Sequence, residues 1–125
     1  MTFKRQKLGK KGEDLARKHL EEAGYNVIES NYRTRSGEID LIANDAGVLV
    51  FIEVKTRSSD RFGTPLEGVT AAKCRQISKV ALEYLSRNNC QDRPARFDVV
   101  GVGIGPPVRV EVVKNAFTLS EGVVW

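Results

Sequence analysis

The chain has 125 residues, 41% of them hydrophobic, and a formal net charge of +4. That length suits one domain, and the hydrophobic share supports a globular core and excludes a disordered chain. The longest apolar run, Val48 to Ile52, is far short of the roughly 20 residues a membrane-spanning helix needs. Met1 to Lys11 is basic but no apolar signal core follows it, so the expectation is a cytoplasmic protein with no membrane partner. Cys74 and Cys90 lack metal-ligand spacing and read as reduced structural thiols. The only histidine, His19, falls in a helical pattern, which argues against a histidine-based metal site or triad.

The apolar positions Leu8, Leu15, Ala16, Leu20 and Ala23 predict a first helix that stops at Gly24. Tyr25 to Glu29 reads as a strand, and Arg33 to Gly37 as a polar loop or hairpin turn. Glu38 to Ala43 and Val48 to Thr56 read as two strands joined by Asn44-Asp45-Ala46-Gly47. The run Val48 to Ile52 is apolar on both faces, as in a central strand covered on both sides. Ser58 to Gly68 is a loop. Thr70 is an N-cap candidate for a second helix ending near Arg87. Arg96 to Ile104 and Val108 to Lys114 are two further strands around a Gly105-Pro106-Pro107 turn. The order α-β-β-β-α-β-β predicts a single α/β domain over 1–125 with a mixed sheet flanked by helices. The ordered core is expected over about 8–114, with a patternless tail from 115 to 125.

Acids and a lysine stand inside the two central strands: Glu38 and Asp40 in the first, Glu53 and Lys55 in the second. Such groups are costly to bury unless they bind something. Alternation puts Glu38 and Asp40 on one face of their strand, and Glu53 and Lys55 on one face of theirs. If Ala43 pairs with Val48 across a four-residue loop, Glu38 lies opposite Glu53 and Asp40 opposite Phe51. All four polar residues then line one surface. A three- or five-residue loop would separate them. Crowded carboxylates suit a hard divalent cation; Mg²⁺ takes one or two protein carboxylates and fills its shell with water and phosphate oxygens. Such an ion acidifies a bound water and stabilises charge developing at phosphorus, while Lys55 beside it would orient that water, lower its pKa or stabilise the pentavalent phosphate as a fixed cation. The structural alternative is a sheet in which these acids simply pair with Lys55 or an arginine.

Three blocks carry a resemblance: Gly9-Lys10-Lys11-Gly12-Glu13-Asp14-Leu15-Ala16, Asn31 to Ile42, and Val50 to Arg57, with Phe62-Gly63-Thr64-Pro65 and Lys73 beside them. Together they resemble the YraN-type family of small bacterial proteins over about Gly9 to Val113. That family is similar to Holliday-junction resolvases and to the restriction-endonuclease-like, PD-(D/E)xK superfamily. The resemblance implies a three-layer fold with a central mixed sheet, and a metal site of Asp40, Glu53 and Lys55. It implies Glu13 of the first helix as a candidate fourth member. Ile39 stands where the superfamily motif has proline.

Glu38 is a candidate accessory ligand. Lys73 falls on the apolar stripe of the second helix, either snorkelling or aimed at the acidic face. Arg33, Arg35, Arg57 and Arg61 flank the acids and, with Thr56 and Lys73, are candidates for contacting a nucleic-acid backbone. The leading expectation is an endonuclease dependent on Mg²⁺ or Mn²⁺ that hydrolyses phosphodiester bonds of DNA, branched or structured DNA included. The alternative is a nucleic-acid-binding module with a nuclease fold and weak or no activity. A homodimer is expected by analogy with junction resolvases.

Overall fold

The structure is a computed structural model that describes residues 3–58 and 65–119. The side chains of residues 3–6, 65 and 66, and the expectations for Arg61, Phe62, Gly63, Thr64 and Trp125, lie outside the described residues. The elements are α1 (Phe3–Glu22), β1 (Asn26–Thr34), β2 (Gly37–Asp45), β3 (Val48–Arg57), a 3₁₀ turn (Pro65–Gly68), α2 (Ala71–Arg87), β4 (Ala95–Gly103) and β5 (Arg109–Phe117). The sheet order is β1-β2-β3-β4-β5. Only β3 and β4 run parallel. A parallel pair cannot be joined by a hairpin, and α2 lies in the crossover between those two strands.

The strand period of two divides the core into two layers. Leu49 and Phe51 of β3 join Ile77, Val80, Ala81 and Leu85 of α2. Val50 and Ile52, the alternate residues, join Ala16 and Leu20 of α1. β3 is thus covered on both faces, as its continuous apolar run requires. Beneath α2 a chain of rings crosses the sheet. Tyr32 meets Tyr84 edge-on, Tyr84 meets Phe51, Phe51 meets Phe97, and Phe97 stacks on Phe117 at 4.7 Å. This is the α/β architecture expected from the element order, a mixed sheet with a helix packed on each face, and it is compatible with the three layers that the resemblance implies.

Three departures bear on the site. β1 runs on to Thr34, well past Glu29. It is an edge strand with no buried position, so it carries no apolar alternation to read. β5 likewise continues to Phe117, into the stretch expected to be a tail. The β2–β3 hairpin is tighter than the four-residue loop. Asp45 pairs with Val48 and Ala43 with Val50, around Ala46 and Gly47, both at positive φ. Two such residues in succession are what a type I′ turn needs. The pairing therefore slips by two residues, an even number, which leaves every β3 side chain on its expected face.

Gly12 sets how closely α1 approaches the sheet. A Cβ there would lie 1.9 Å from Oγ1 of Thr56 and 2.8 Å from its Cβ. Neither atom can retreat far, so any larger residue must push α1 off β3. Gly12→Ala is expected to destabilise the fold by about 1–3 kcal/mol, the usual range for overpacking. Denaturant midpoints of the variant alone, and of the variant carrying Thr56→Ala, check this; the second change should recover part of the loss.

Candidate functional site

Two acids are buried in this sheet, and they differ in one respect. Asp98 of β4 is fully buried and fully engaged. It accepts from the Tyr25 hydroxyl at 2.9 Å, from Arg96 Nε at 2.9 Å and from the backbone N–H of Asn115 at 3.0 Å. Arg96 also reaches Asp45 at 2.7 Å. This network ties β4 and β5 to the hairpin end of the sheet and accounts for its own charges. Sequence reasoning passed over it, although Arg96-x-Asp98 inside an apolar strand is the same signal as Glu53-x-Lys55.

Glu53 is 5% exposed. Its Oε1 is buried without a hydrogen-bond partner among the described residues. Its Oε2 lies 3.6 Å from Lys55 Nζ and 3.7 Å from Lys73 Nζ. Both contacts exceed hydrogen-bond length. Burial, followed by repulsion from Asp40, pushes the Glu53 carboxyl up to about 8, against the pull of the two lysines. Desolvation wins because it acts on the whole group, while the lysines approach only one oxygen. Asp40 is also raised, chiefly by burial. The pair thus holds a proton near neutral pH, and it resides on Glu53.

Asp40 occupies a fork in the sheet. The paired residues of β2 and β3 end at Leu41 and Ile52. Beyond them Oδ2 of Asp40 accepts from the backbone N–H of Val54 at 2.7 Å, a carboxylate standing where a ladder carbonyl would be. The strands change sides at this level. Ser30 and Leu41 pair, as do Tyr32 and Ile39, but Asn31 between them sits at φ 53. Leu41 packs on the α1 side, while Ile39 and Tyr32 pack on the α2 side. Asparagine tolerates this left-handed backbone better than most residues.

The kink alters the placement of Glu38. Alternation put it on one face with Asp40 and Glu53, and the structure does not. Thr34 donates to Glu83 of α2, so the pair Thr34–Gly37 faces α2 and the adjacent pair Arg33–Glu38 faces the other way. There Glu38 is held by Arg33, whose Nε lies 3.0 Å from its Oε2. Glu13 of α1 is on that side too. Burial raises its carboxyl to about 7, with Asp40 and Glu38 adding to the shift and a bond from Asn31 opposing it. Asp40 is therefore felt from both layers.

The remaining expected residues divide. Lys55 and Lys73 converge on Glu53 from different elements. Thr70 caps α2 by accepting from the N–H of Lys73, which fixes that first turn beside the acids. Gly68 allows the 3₁₀ turn to close over Lys55 and Arg57; a Cβ there would meet both at 3.2 Å. Thr56 faces α1 and packs on Gly12, away from Glu53. Arg35 is exposed in the β1–β2 turn and Arg57 at the end of β3. A contact not foreseen joins Gln76, one turn beyond Lys73, to Gly37, where a Cβ would lie 2.5 Å from its Cγ.

Among the described residues no three His, Cys, Asp or Glu side chains form a cage. The pair Asp40–Glu53, with one orphaned oxygen, matches the one or two carboxylates that Mg²⁺ takes from protein. A family model described as "Uncharacterised protein family UPF0102" matches residues 12–102. The chain belongs to the UPF0102 family. A UPF0102 protein of Syntrophus aciditrophicus (strain SB) is 49% identical over 115 residues, 91% of each chain. One from Symbiobacterium thermophilum is 51% identical over 113 residues, 89% of this chain and 96% of its own. One from Rhodococcus opacus (strain B4) is 47% identical over 112 residues, 88% of this chain and 95% of its own. The span matched to UPF0102 contains Glu13, Asp40, Glu53, Lys55 and Lys73. No helix among the described residues is long and apolar enough to cross a membrane.

The proton on Glu53 has a measurable consequence. Unfolded, the group ionises near 4.5; folded, near 8. Between these values the native state binds the extra proton, so this stability is full below about 4.5 and is lost as pH rises through 8. The slope reaches at most about 1.4 kcal/mol per pH unit. Chemical denaturation from pH 5 to 8 in EDTA should show the decline, and Glu53→Gln should flatten it.

Proposed function

We propose that this UPF0102 protein is a divalent-cation-dependent endonuclease acting on DNA. The observation that carries this is Glu53, a buried acid with an unpartnered oxygen beside Asp40 and two lysines. The contrast with Asp98 supports it, because a purely structural acid in the same sheet is fully bonded. Asp40 and Glu53 would hold Mg²⁺ or Mn²⁺. When bound, such an ion supplies Lewis-acid stabilisation of charge at phosphorus.

The side chains supply the rest. The hydrogen bond from Val54 fixes the Asp40 carboxylate at the fork, so it is oriented beside Glu53 before any ligand arrives. Lys55 and Lys73 place two positive charges where the oxygens of a pentavalent phosphate would gather charge. Preorganised charges of this kind lower a barrier because they need no rearrangement as the reaction proceeds. Lys55 is held by the turn packed over it, and Lys73 by the capped first turn of α2. To hold a cation Glu53 would give up its proton to solvent, since only the carboxylate is a strong oxygen ligand. Arg35 and Arg57 provide exposed charge for sequence-independent contact with the backbone.

A second reading is favoured by one observation. Lys55 and Lys73 stand 3.6 and 3.7 Å from Glu53, close enough to offset its charge once it ionises, so the cluster is tolerable as an ion-pair group in a binding module that does not cut. Incubation with junction, flap and linear DNA separates the two. The nuclease predicts cleavage that requires Mg²⁺ or Mn²⁺ and falls at least about a hundredfold in Asp40→Asn, Glu53→Gln and Lys55→Ala. The binding module predicts no cleavage, and DNA binding that persists in EDTA, weakens with salt and survives Glu53→Gln.

A further inference from the structure

A polar cavity stands apart from Glu53. It lies on the opposite face of the sheet, between α1 and the β1–β2 pair, with a volume of about 330 Å³. Small-molecule sites begin at about 300 Å³, so the space admits one compact group. Leu41 lines it as its apolar member, and Ser30 and Asn31 contribute neutral polar groups from β1. Lys10 and Arg17 line it from α1. They are seven residues apart, two turns on one helix stripe, and so separated by roughly 10 Å along the axis. They flank the cavity instead of meeting over one point.

Both cations have only loose partners of their own. Lys10 lies 3.7 Å from Asp14 and Arg17 lies 3.5 Å from Glu21, each pair one turn apart on an exposed surface. Such pairs contribute little and exchange readily for a better anion. The cavity is next to the candidate centre. Leu41 follows Asp40 in the chain, and Glu13, another lining residue, feels the charges of Asp40 and Glu38. No aromatic residue lines it. It therefore offers no platform on which a base would stack. Asp14 lines the cavity with Glu13, so a phosphate reaching Lys10 must displace Asp14 from it; the hydroxyl, the amide and the two cations, without a ring, then suit a sugar–phosphate.

We propose that the cavity between α1 and the β1–β2 pair seats one sugar of a nucleic-acid strand with the phosphates on either side of it, Lys10 on one phosphate, Arg17 on the other, and Ser30 and Asn31 on the sugar. The inference rests on the nucleic-acid reading given above, and extends it from the cutting centre to a second anchor on the other side of Asp40. Asp40 at the fork joins the two. A strand held here and at Glu53 would wrap the end of the sheet where β2 leaves β3. The anchor is blind to sequence, because phosphate and sugar carry no base identity.

Binding of labelled single-stranded and duplex DNA to the full chain in EDTA, over a range of salt, tests this without cleavage. Arg17→Ala and Lys10→Ala should each weaken binding about tenfold, the loss of one charge-assisted contact. The loss should be equal for unrelated sequences. Each should lower the salt slope by about 0.7 for single strands and 0.9 for duplex. Lys18→Ala removes the same charge from the same helix but outside the cavity, and should change the slope little. Glu13→Gln removes a negative charge from the lining and should tighten binding about threefold. An equal effect of Lys18→Ala, unchanged slopes in the other two, or absence of DNA binding would overturn the proposal. Displacement of the strand by micromolar deoxyadenosine monophosphate would overturn it in favour of a free-nucleotide site. Failure of the nuclease reading looks different: wild type does not cut with Mg²⁺, yet Arg17→Ala still lowers the slope.

Discussion

Burying Glu53 costs free energy that its neighbours only partly return, and much of the molecule is arranged around that cost. The group sits on the central strand, covered by α2, where solvent cannot screen it. Two lysines approach one oxygen and none approaches the other. A carboxylate in this position keeps a proton at neutral pH or gives it up to a cation. Asp98, one strand away on the other face, shows how the same sheet buries an acid for structure alone: three different groups donate to it. The difference between the two acids lies in their partners, since burial is nearly the same.

The fork gives Glu53 its companion. Were β2 and β3 paired to their ends, Asp40 would be one more residue of a regular ladder with its side chain committed to one layer. Instead β2 parts from β3 after Leu41, Val54 turns its N–H to the Asp40 carboxylate, and Asn31 takes a left-handed backbone on the neighbouring strand. Asp40 is then held between the layers. Gly12 matters to the same end, because it lets α1 come close enough to β3 to place Glu13 and the cationic stripe beside the fork. On the other face the capped start of α2 delivers Lys73.

Much of this was legible in the residues. The apolar run Val48–Ile52 announced a central strand, Thr70 the start of α2, and the even spacing of Glu53 and Lys55 a shared face. The hairpin register was misjudged by two residues, because Ala46 takes positive φ beside Gly47 and an alanine gives little warning of that. The slip did no harm to face assignments on β3, since the strand period is two. Glu38 was another matter: strict alternation placed it with Asp40, and the kink at Asn31 broke the alternation. A single left-handed residue in an exposed edge strand leaves no periodic trace. The Asp98 network was legible only in Arg96, two residues away; Tyr25 and Asn115 lie far along the chain and meet Asp98 only in the folded sheet.

Calorimetric titration of the protein with Mn²⁺ at pH 7, repeated in buffers of different ionisation enthalpy, tests the role of Glu53 most directly. If the cation displaces the proton held there, binding should release close to one proton per ion, and Glu53→Gln should abolish that release together with most of the affinity. Binding that is absent from the wild type, or unchanged in Glu53→Gln, would contradict the account.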